Sequence, residues 1–117
     1  MHELGVVFYV IKDCEKVAKE NNVKKVKRVT IEVGEVSGII HHYLDDCYKW
    51  AIKKSDVLRD SILKIETIDA YTYCEDCSRM YPTVEFGKTC PFCNSKRTYL
   101  KQGNEFKIKE IEVFDEE

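Results

Sequence analysis

Residues 74–93 read CEDCSRMYPTVEFGKTCPFC. Two Cys-x-x-Cys units, Cys74/Cys77 and Cys90/Cys93, stand twelve residues apart. Each unit presents two thiolates on one side of a turn, and two such turns complete a tetrahedron. That is the donor set zinc takes, at about 2.3 Å, in structural sites. The spacer is slightly shorter than is usual for this pattern, but it suffices for a hairpin joining two knuckles. The competing reading is a pair of redox dithiols. It needs a Cys-x-x-Cys at a helix start after a strand, and two copies so close together argue against it. Four protein ligands leave the metal no open position, so Cys74, Cys77, Cys90 and Cys93 predict a structural Zn(II) centre and no catalysis there.

The surroundings agree. Residues 71–104 hold four of the six cysteines, both prolines and few aliphatic side chains. A piece below about 40 residues usually needs a metal or disulfides to fold. The text on either side is different. Leu4, Val7, Phe8, Ile11, Cys14 and Ala18 recur at helical spacing, and Glu20-Asn21-Asn22 closes that helix. Val29, Ile31 and Val33 alternate with Arg28, Thr30 and Glu32, which predicts a half-buried strand. Gly34 and Ser37-Gly38 mark a turn. Leu44, Cys47, Tyr48 and Ala51 give a second helical stripe, and 61–70 reads as a second strand. A last strand carries Phe106, Ile108, Ile111 and Val113, with a phase shift between Ile108 and Ile111 that predicts a bulge or a two-faced strand. The simplest topology pairs this last strand with 61–70 and inserts the cysteine lobe between them. The expected division is therefore 1–70 plus 105–117 as one domain and 71–104 as an inserted zinc ribbon.

Composition sets limits on function. The 117 residues carry 19 basic and 21 acidic side chains, a formal charge of −2, with 44% hydrophobic residues. This is a folded-chain composition, and it gives no electrostatic case for a nucleic-acid or membrane partner. No apolar run has transmembrane length, and the first residues do not form a signal-peptide n-region, so a cytoplasmic protein is expected. In that compartment cysteines read as metal ligands or core thiols before disulfides. Cys14 and Cys47, on the helical stripes, read as buried thiols.

The opening Met1-His2-Glu3 is a second candidate metal site. The terminal amine, an amide nitrogen and the His2 imidazole can bind one ion through fused five- and six-membered rings. Such nitrogen donors suit Ni(II) or Cu(II). The first N–H groups of a helix lack intrahelical acceptors, so recruiting one breaks no helical bond. Glu3 would offset the cation at the positive helix end. A histidine at position 2 leaves one coordination place unfilled, which suits a metal that must be handed on. By spacing alone, a solvated histidine and an acid in a first helical turn is the favoured reading.

The opening MHEL, the later VGEVSGI (33–39), the Cys-x-x-Cys-x12-Cys-x-x-Cys lobe and the closing strand together resemble the HypA/HybF family of hydrogenase and urease nickel metallochaperones. The resemblance implies an α+β fold, with two helices packed on a small three-stranded mixed sheet and an inserted zinc-ribbon domain. It implies that His2 is the essential nickel ligand, with Met1 and Glu3 contributing. It makes the protein a carrier and not an enzyme, with Ni(II) as transferred cargo and Zn(II) as structural metal. The implied partners are a hydrogenase-maturation GTPase, the [NiFe]-hydrogenase large-subunit precursor and, for some members, urease maturation proteins.

Two departures stand out. Gly5 replaces the more usual serine or alanine, costing about 1 kcal/mol of helix propensity. His41-His42 stands where the family often has proline and an acid. Either histidine could complete a nickel square, or both could sit at a solvated helix start, which is the favoured reading. A zinc-ribbon interaction module remains the alternative function. For it, Lys88, Lys96, Arg97 and Lys101 beside Tyr99 offer a weak basic stripe, diluted by Glu75, Asp76 and Glu85. A metal-dependent hydrolase lacks any second constellation such as HExxH.

Overall fold

The computed structural model describes residues 3–114, from Glu3 to Phe114. Helix α1 spans Glu3–Glu20, strand β1 Val26–Gly34 and helix α2 His41–Ala51. A 3-10 turn over Ile52–Lys54 follows, then β2 (Ile62–Ile68), β3 (Tyr71–Cys74) and β4 (Met80–Pro82). A short helix α3 (Thr83–Phe86), β5 (Thr98–Gln102) and β6 (Phe106–Val113) complete the chain. The strands form two three-stranded sheets, β2-β1-β6 and β4-β3-β5. The chain divides into two compact units. One holds residues up to Ile31, Ile39–Glu66 and Lys107 onward; the other holds Glu32–Gly38 and Thr67–Phe106.

In the first unit, α1 packs on α2. Val7, Val10, Ile11, Cys14 and Ala18 of α1 are buried with Val26, Val29 and Ile31 of β1 and Leu44, Tyr48, Ile52 and Leu58. Leu4 and Phe8, expected on the buried stripe, are 39% and 50% exposed. The stripe centres on Val7, Ile11 and Cys14, and Phe8 is turned about 100° from Val7. Asn22 closes α1 at φ 56°, and the Val23 N–H returns to the Ala18 carbonyl at 2.8 Å. Buried Tyr48 hydrogen-bonds Ser61 Oγ at 2.6 Å, and Ser61 donates to the Leu58 carbonyl at 2.6 Å.

The last strand does not pair with 61–70 as expected. Strand β6 lies on the far side of β1, which is central. The reason is burial. Val29, Ile31 and Val33 are fully buried, and Thr30 on the other face is 2% exposed, so β1 needs cover on both faces and both edges. Its pairing to the two neighbours differs in sense. Arg28 meets Glu112 at 3.0 Å and the Gly34 N–H meets the Glu105 carbonyl at 2.7 Å, so numbering falls on β6 as it rises on β1. Numbering rises together towards β2, with the Val26 N–H on Val57 and the Glu35 N–H on Ile68. The sheet is mixed. Along β6, Phe106 and Ile108 are half-buried, then Ile111, so the burial phase does shift.

The VGEVSGI stretch clasps both ends of the second unit's lobe. The Val36 N–H donates to the Gly103 carbonyl at 2.8 Å, and the Glu35 carboxylate accepts the Ala70 N–H at 2.9 Å. Gly34 meets two demands: its carbonyl accepts the Ser37 N–H at 3.1 Å to open the turn, and a Cβ would lie 2.0 Å from the Gly103 oxygen. Gly38 follows the turn at φ 81°, a conformation that favours glycine.

Candidate metal centre

The four lobe cysteines converge. Cys74 ends β3, Cys77 lies in the turn before β4, and Cys90 and Cys93 belong to the turn before β5. Their sulfurs all lie within 4.8 Å of one another. Cys74–Cys93 and Cys77–Cys90 are each 3.6 Å apart, and both pairs cross from one knuckle to the other. A zinc–sulfur distance of about 2.3 Å implies tetrahedral edges of about 3.8 Å. The donor chemistry and the spacing both fit Zn(II).

Local sequence builds the two knuckles alike. In the first, the Ser78 N–H donates to the Cys74 carbonyl and the Cys74 N–H to the Arg79 carbonyl, each at 2.9 Å. In the second, Asn94 returns to Cys90 at 2.8 Å and Cys90 to Ser95 at 2.9 Å. Ser78 and Asn94 turn the chain at φ 59° and 60°. The spacer forms β4 and the single turn α3, closed by Gly87 at φ 64°. Tyr81 is the lobe's one large fully buried side chain, set against Cys74, Cys77 and Cys90, with its hydroxyl on the Gly87 carbonyl at 2.9 Å. Phe86 meets it edge-on at 6.0 Å. So small a core matches the expectation that packing alone would not hold this lobe.

The thiols compete for negative charge. Hydrogen bonds from the Cys77 N–H, above all, and from the Asp76 N–H pull the Cys74 thiol down to about 7 against the effect of burial. Burial pushes Cys77 up. The Ser95 N–H favours the Cys93 thiolate, but burial and the three other sulfurs outweigh it and raise that thiol to about 12. A divalent cation would relieve this competition. Elsewhere, Cys14 is fully buried, and burial first, then Asp13 and Glu15, raises it to about 12. It is an inert core thiol. Cys47 is half-buried in a groove with Glu3, Leu4, Tyr43 and Asp46.

At the other candidate site, Met1 and His2 lie outside the described residues. Glu3 lies in the first turn of α1, and its Oε2 accepts the Ile40 N–H at 3.1 Å. Ile40 is the N-cap residue of α2, so Glu3 caps a helix that has no side-chain cap of its own. His41 and His42 are the next two residues, both exposed, with the His42 ring 4.1 Å from that of Tyr43. Among the described residues the four cysteines are the one group of three or more His, Cys, Asp or Glu side chains close enough to share an ion; His41 and His42 join none. Sequence reading missed the Glu3–Ile40 bond, since nothing local connects residues 37 positions apart. It also missed the polar seam between the knuckles formed by Asp76, Ser95 and Arg97. Its one trace in the sequence is an acid inside the first Cys-x-x-Cys and a base just past the second.

Comparisons with known proteins cover the whole chain. Residues 1–113 match the family model described as hydrogenase/urease nickel incorporation, metallochaperone, hypA. The hydrogenase/urease maturation factor HypA of Helicobacter pylori is 32% identical over 118 residues, covering 99% of this chain and all of that protein. The hydrogenase maturation factor HypA of Trichodesmium erythraeum is 34% identical, covering 97% and 96%. The solution structure of the Ni metallochaperone HypA from Helicobacter pylori superposes with a TM-score of 0.73 at 32% identity, covering 99% of this chain and all of that one. A second HypA solution structure gives 0.73 at 30% identity, covering 99% and 98%.

Proposed function

The chain belongs to the HypA family of hydrogenase and urease nickel-incorporation metallochaperones, and we propose on that premise that it carries Ni(II) as cargo at its N-terminal end. Met1, His2 and Glu3 are the proposed ligands, through the terminal amine, a backbone amide, the imidazole and the carboxylate. The observation that carries this reading is the family match, which runs from residue 1 to 113 and includes the Met1-His2-Glu3 opening. The Glu3–Ile40 hydrogen bond supports it, because it ties the first turn of α1 to the start of α2. His41 and His42 begin that helix and are the candidates for the coordination place that a histidine at position 2 leaves unfilled.

Function follows from incompleteness. A site short of ligands releases its ion to a receiver that supplies more of them. Copper(II) binds nitrogen donors more tightly than nickel(II), so selectivity comes from docking to a nickel-handling partner. The proposed partners are the hydrogenase-maturation GTPase, the hydrogenase large-subunit precursor and, where urease is served, its maturation proteins. No nucleic-acid or membrane partner is proposed: Arg97 of the basic stripe is bound to Asp76 and Glu75, and no helix among the described residues is long and apolar enough to cross a membrane. The working compartment is the cytoplasm. The chain is a carrier, not an enzyme, with 1–70 plus 105–117 as the nickel-binding part and 71–104 as the inserted zinc part.

Cys74, Cys77, Cys90 and Cys93 would hold a structural Zn(II), whose binding supplies on the order of 10 kcal/mol towards folding that lobe. The test is a nickel titration of His2→Ala in zinc-loaded protein. Loss of nickel binding with zinc content unchanged is expected; nickel binding equal to that of the unaltered chain would overturn the N-terminal site.

A further inference from the structure

The two knuckles are joined by contacts in which no thiol takes part. Asp76 sits between Cys74 and Cys77. Its Oδ2 accepts the Ser95 hydroxyl, and its Oδ1 takes Arg97 Nη1 at 2.6 Å. Arg97 Nη2 reaches Glu75 at 3.5 Å. The Ser95 hydroxyl in turn accepts the Arg97 N–H at 3.0 Å, and the Arg97 carbonyl accepts the Glu75 N–H at 2.9 Å. Residues 75–76 of the first knuckle are thus sewn to residues 95–97, the exit of the second.

We infer that Asp76, Ser95 and Arg97 are positioning residues that latch the two knuckles in metal-ready register and set how slowly the lobe gives up zinc. The inference rests on reading the four cysteines as zinc ligands. Each knuckle fixes its own pair of sulfurs through its own backbone turn, at Cys74–Ser78 and Cys90–Asn94. What those turns leave open is the spacing between the pairs, and both 3.6 Å sulfur contacts cross that gap. Ionised thiolates repel across the gap; the β3–β5 pairing that sets Cys74 opposite Thr98 resists this, and the seam adds side-chain ties between residues 75–76 and 95–97. A tetrathiolate zinc centre also carries a net charge of −2, and Glu75 and Asp76 add to the negative field beside it. Arg97 is the cation placed against both carboxylates. Its side chain is 70% exposed, so a lone pair there would contribute little. The effect depends on one guanidinium, two carboxylates and a hydroxyl acting together.

The experiment follows zinc release from the loaded full-length chain to a chromophoric chelator, for the unaltered protein, Asp76→Asn, Arg97→Gln, the double variant and Arg97→Lys. Each of the two single variants should release zinc about tenfold faster, at the low end for groups that orient metal ligands. The double variant should release zinc well short of the product of the two single effects, because both remove the shared Asp76–Arg97 pair. Arg97→Lys should recover part of the loss, keeping the charge without the fork. Added salt should speed release from the unaltered protein and have less effect on Arg97→Gln, which loss of packing alone would not produce. Single variants within twofold of the unaltered protein, or a double variant whose effects multiply, would overturn the latch and leave the zinc reading standing. An unaltered chain that takes up no zinc, and shows no thiolate charge-transfer band with Co(II), would overturn both.

Discussion

The two proposed metal sites are built in opposite ways. The knuckles gather four sulfurs from two nested turns, with Cys74 and Cys90 fully buried, before any ion is considered. The proposed cargo site offers exposed His41 and His42 and a Glu3 already engaged with the Ile40 N–H, and no cluster forms among the described residues there. A resident metal needs a closed set of soft donors. A travelling metal needs an open set that a receiver can complete. The cores differ in the same sense. The first unit is held by packing around Leu44, Tyr48 and Leu58, whereas the lobe has little beyond Tyr81 and its thiols.

The largest effect should come from the lobe. Zinc removal by a chelator, or Cys90→Ser, should unfold residues 71–104, a loss on the order of 10 kcal/mol of binding-linked folding energy. The α1 and α2 helix signal should survive; amide protection measured by hydrogen exchange in both units checks this. Coincident loss of both units would erase the contrast. Next, Leu44→Ala should cost about 2–5 kcal/mol in the first unit, since Leu44 is 1% exposed, without changing zinc release. Denaturant melts beside chelator competition separate the two outcomes.

The first unit should also weaken in alkali. Cys14 ionises near 9.0 when unfolded but near 12 when folded, and Tyr48 near 10.0 and 12, burial being the main cause of both shifts. The unfolded chain therefore loses these protons first. Stability is complete below pH 9 and falls as pH rises through that window towards 12. Melting against pH should show the decline, and Cys14→Val should lessen it. The last effect concerns the cargo. Nickel affinity should begin to fall below about pH 8, as the Met1 amine protonates, and should fall more steeply, by more than about tenfold per unit, below about pH 6.5 as the His2 imidazole does too. Affinity that stays flat to pH 5 would count against a histidine-centred site.

Much of this was legible from the sequence because its signals are local. The Cys-x-x-Cys spacing fixes two turns, and the Val29–Val33 alternation fixes a strand. Both helices follow from three- and four-residue spacing. Strand order was not legible. That Thr30 is as buried as Val29, and so marks a central strand, depends on neighbours far along the chain. Gly34 was read correctly as a turn residue, but its second demand was hidden for the same reason, since its crowding against Gly103 is a contact across 69 positions. The Glu3–Ile40 and Asp76–Arg97 contacts are likewise long-range, between residue types common on any surface.

The most direct test of the open cargo site is calorimetric nickel titration of two zinc-loaded chains, one beginning at Met1 and one with a single glycine before it. Every side chain is the same in both, and only the position of the free amine changes. Abolished or greatly weakened nickel binding in the extended chain is the predicted result. Unchanged binding would contradict it, return Met1-His2-Glu3 to the role of a helix start, and pass the nickel site to His41 and His42.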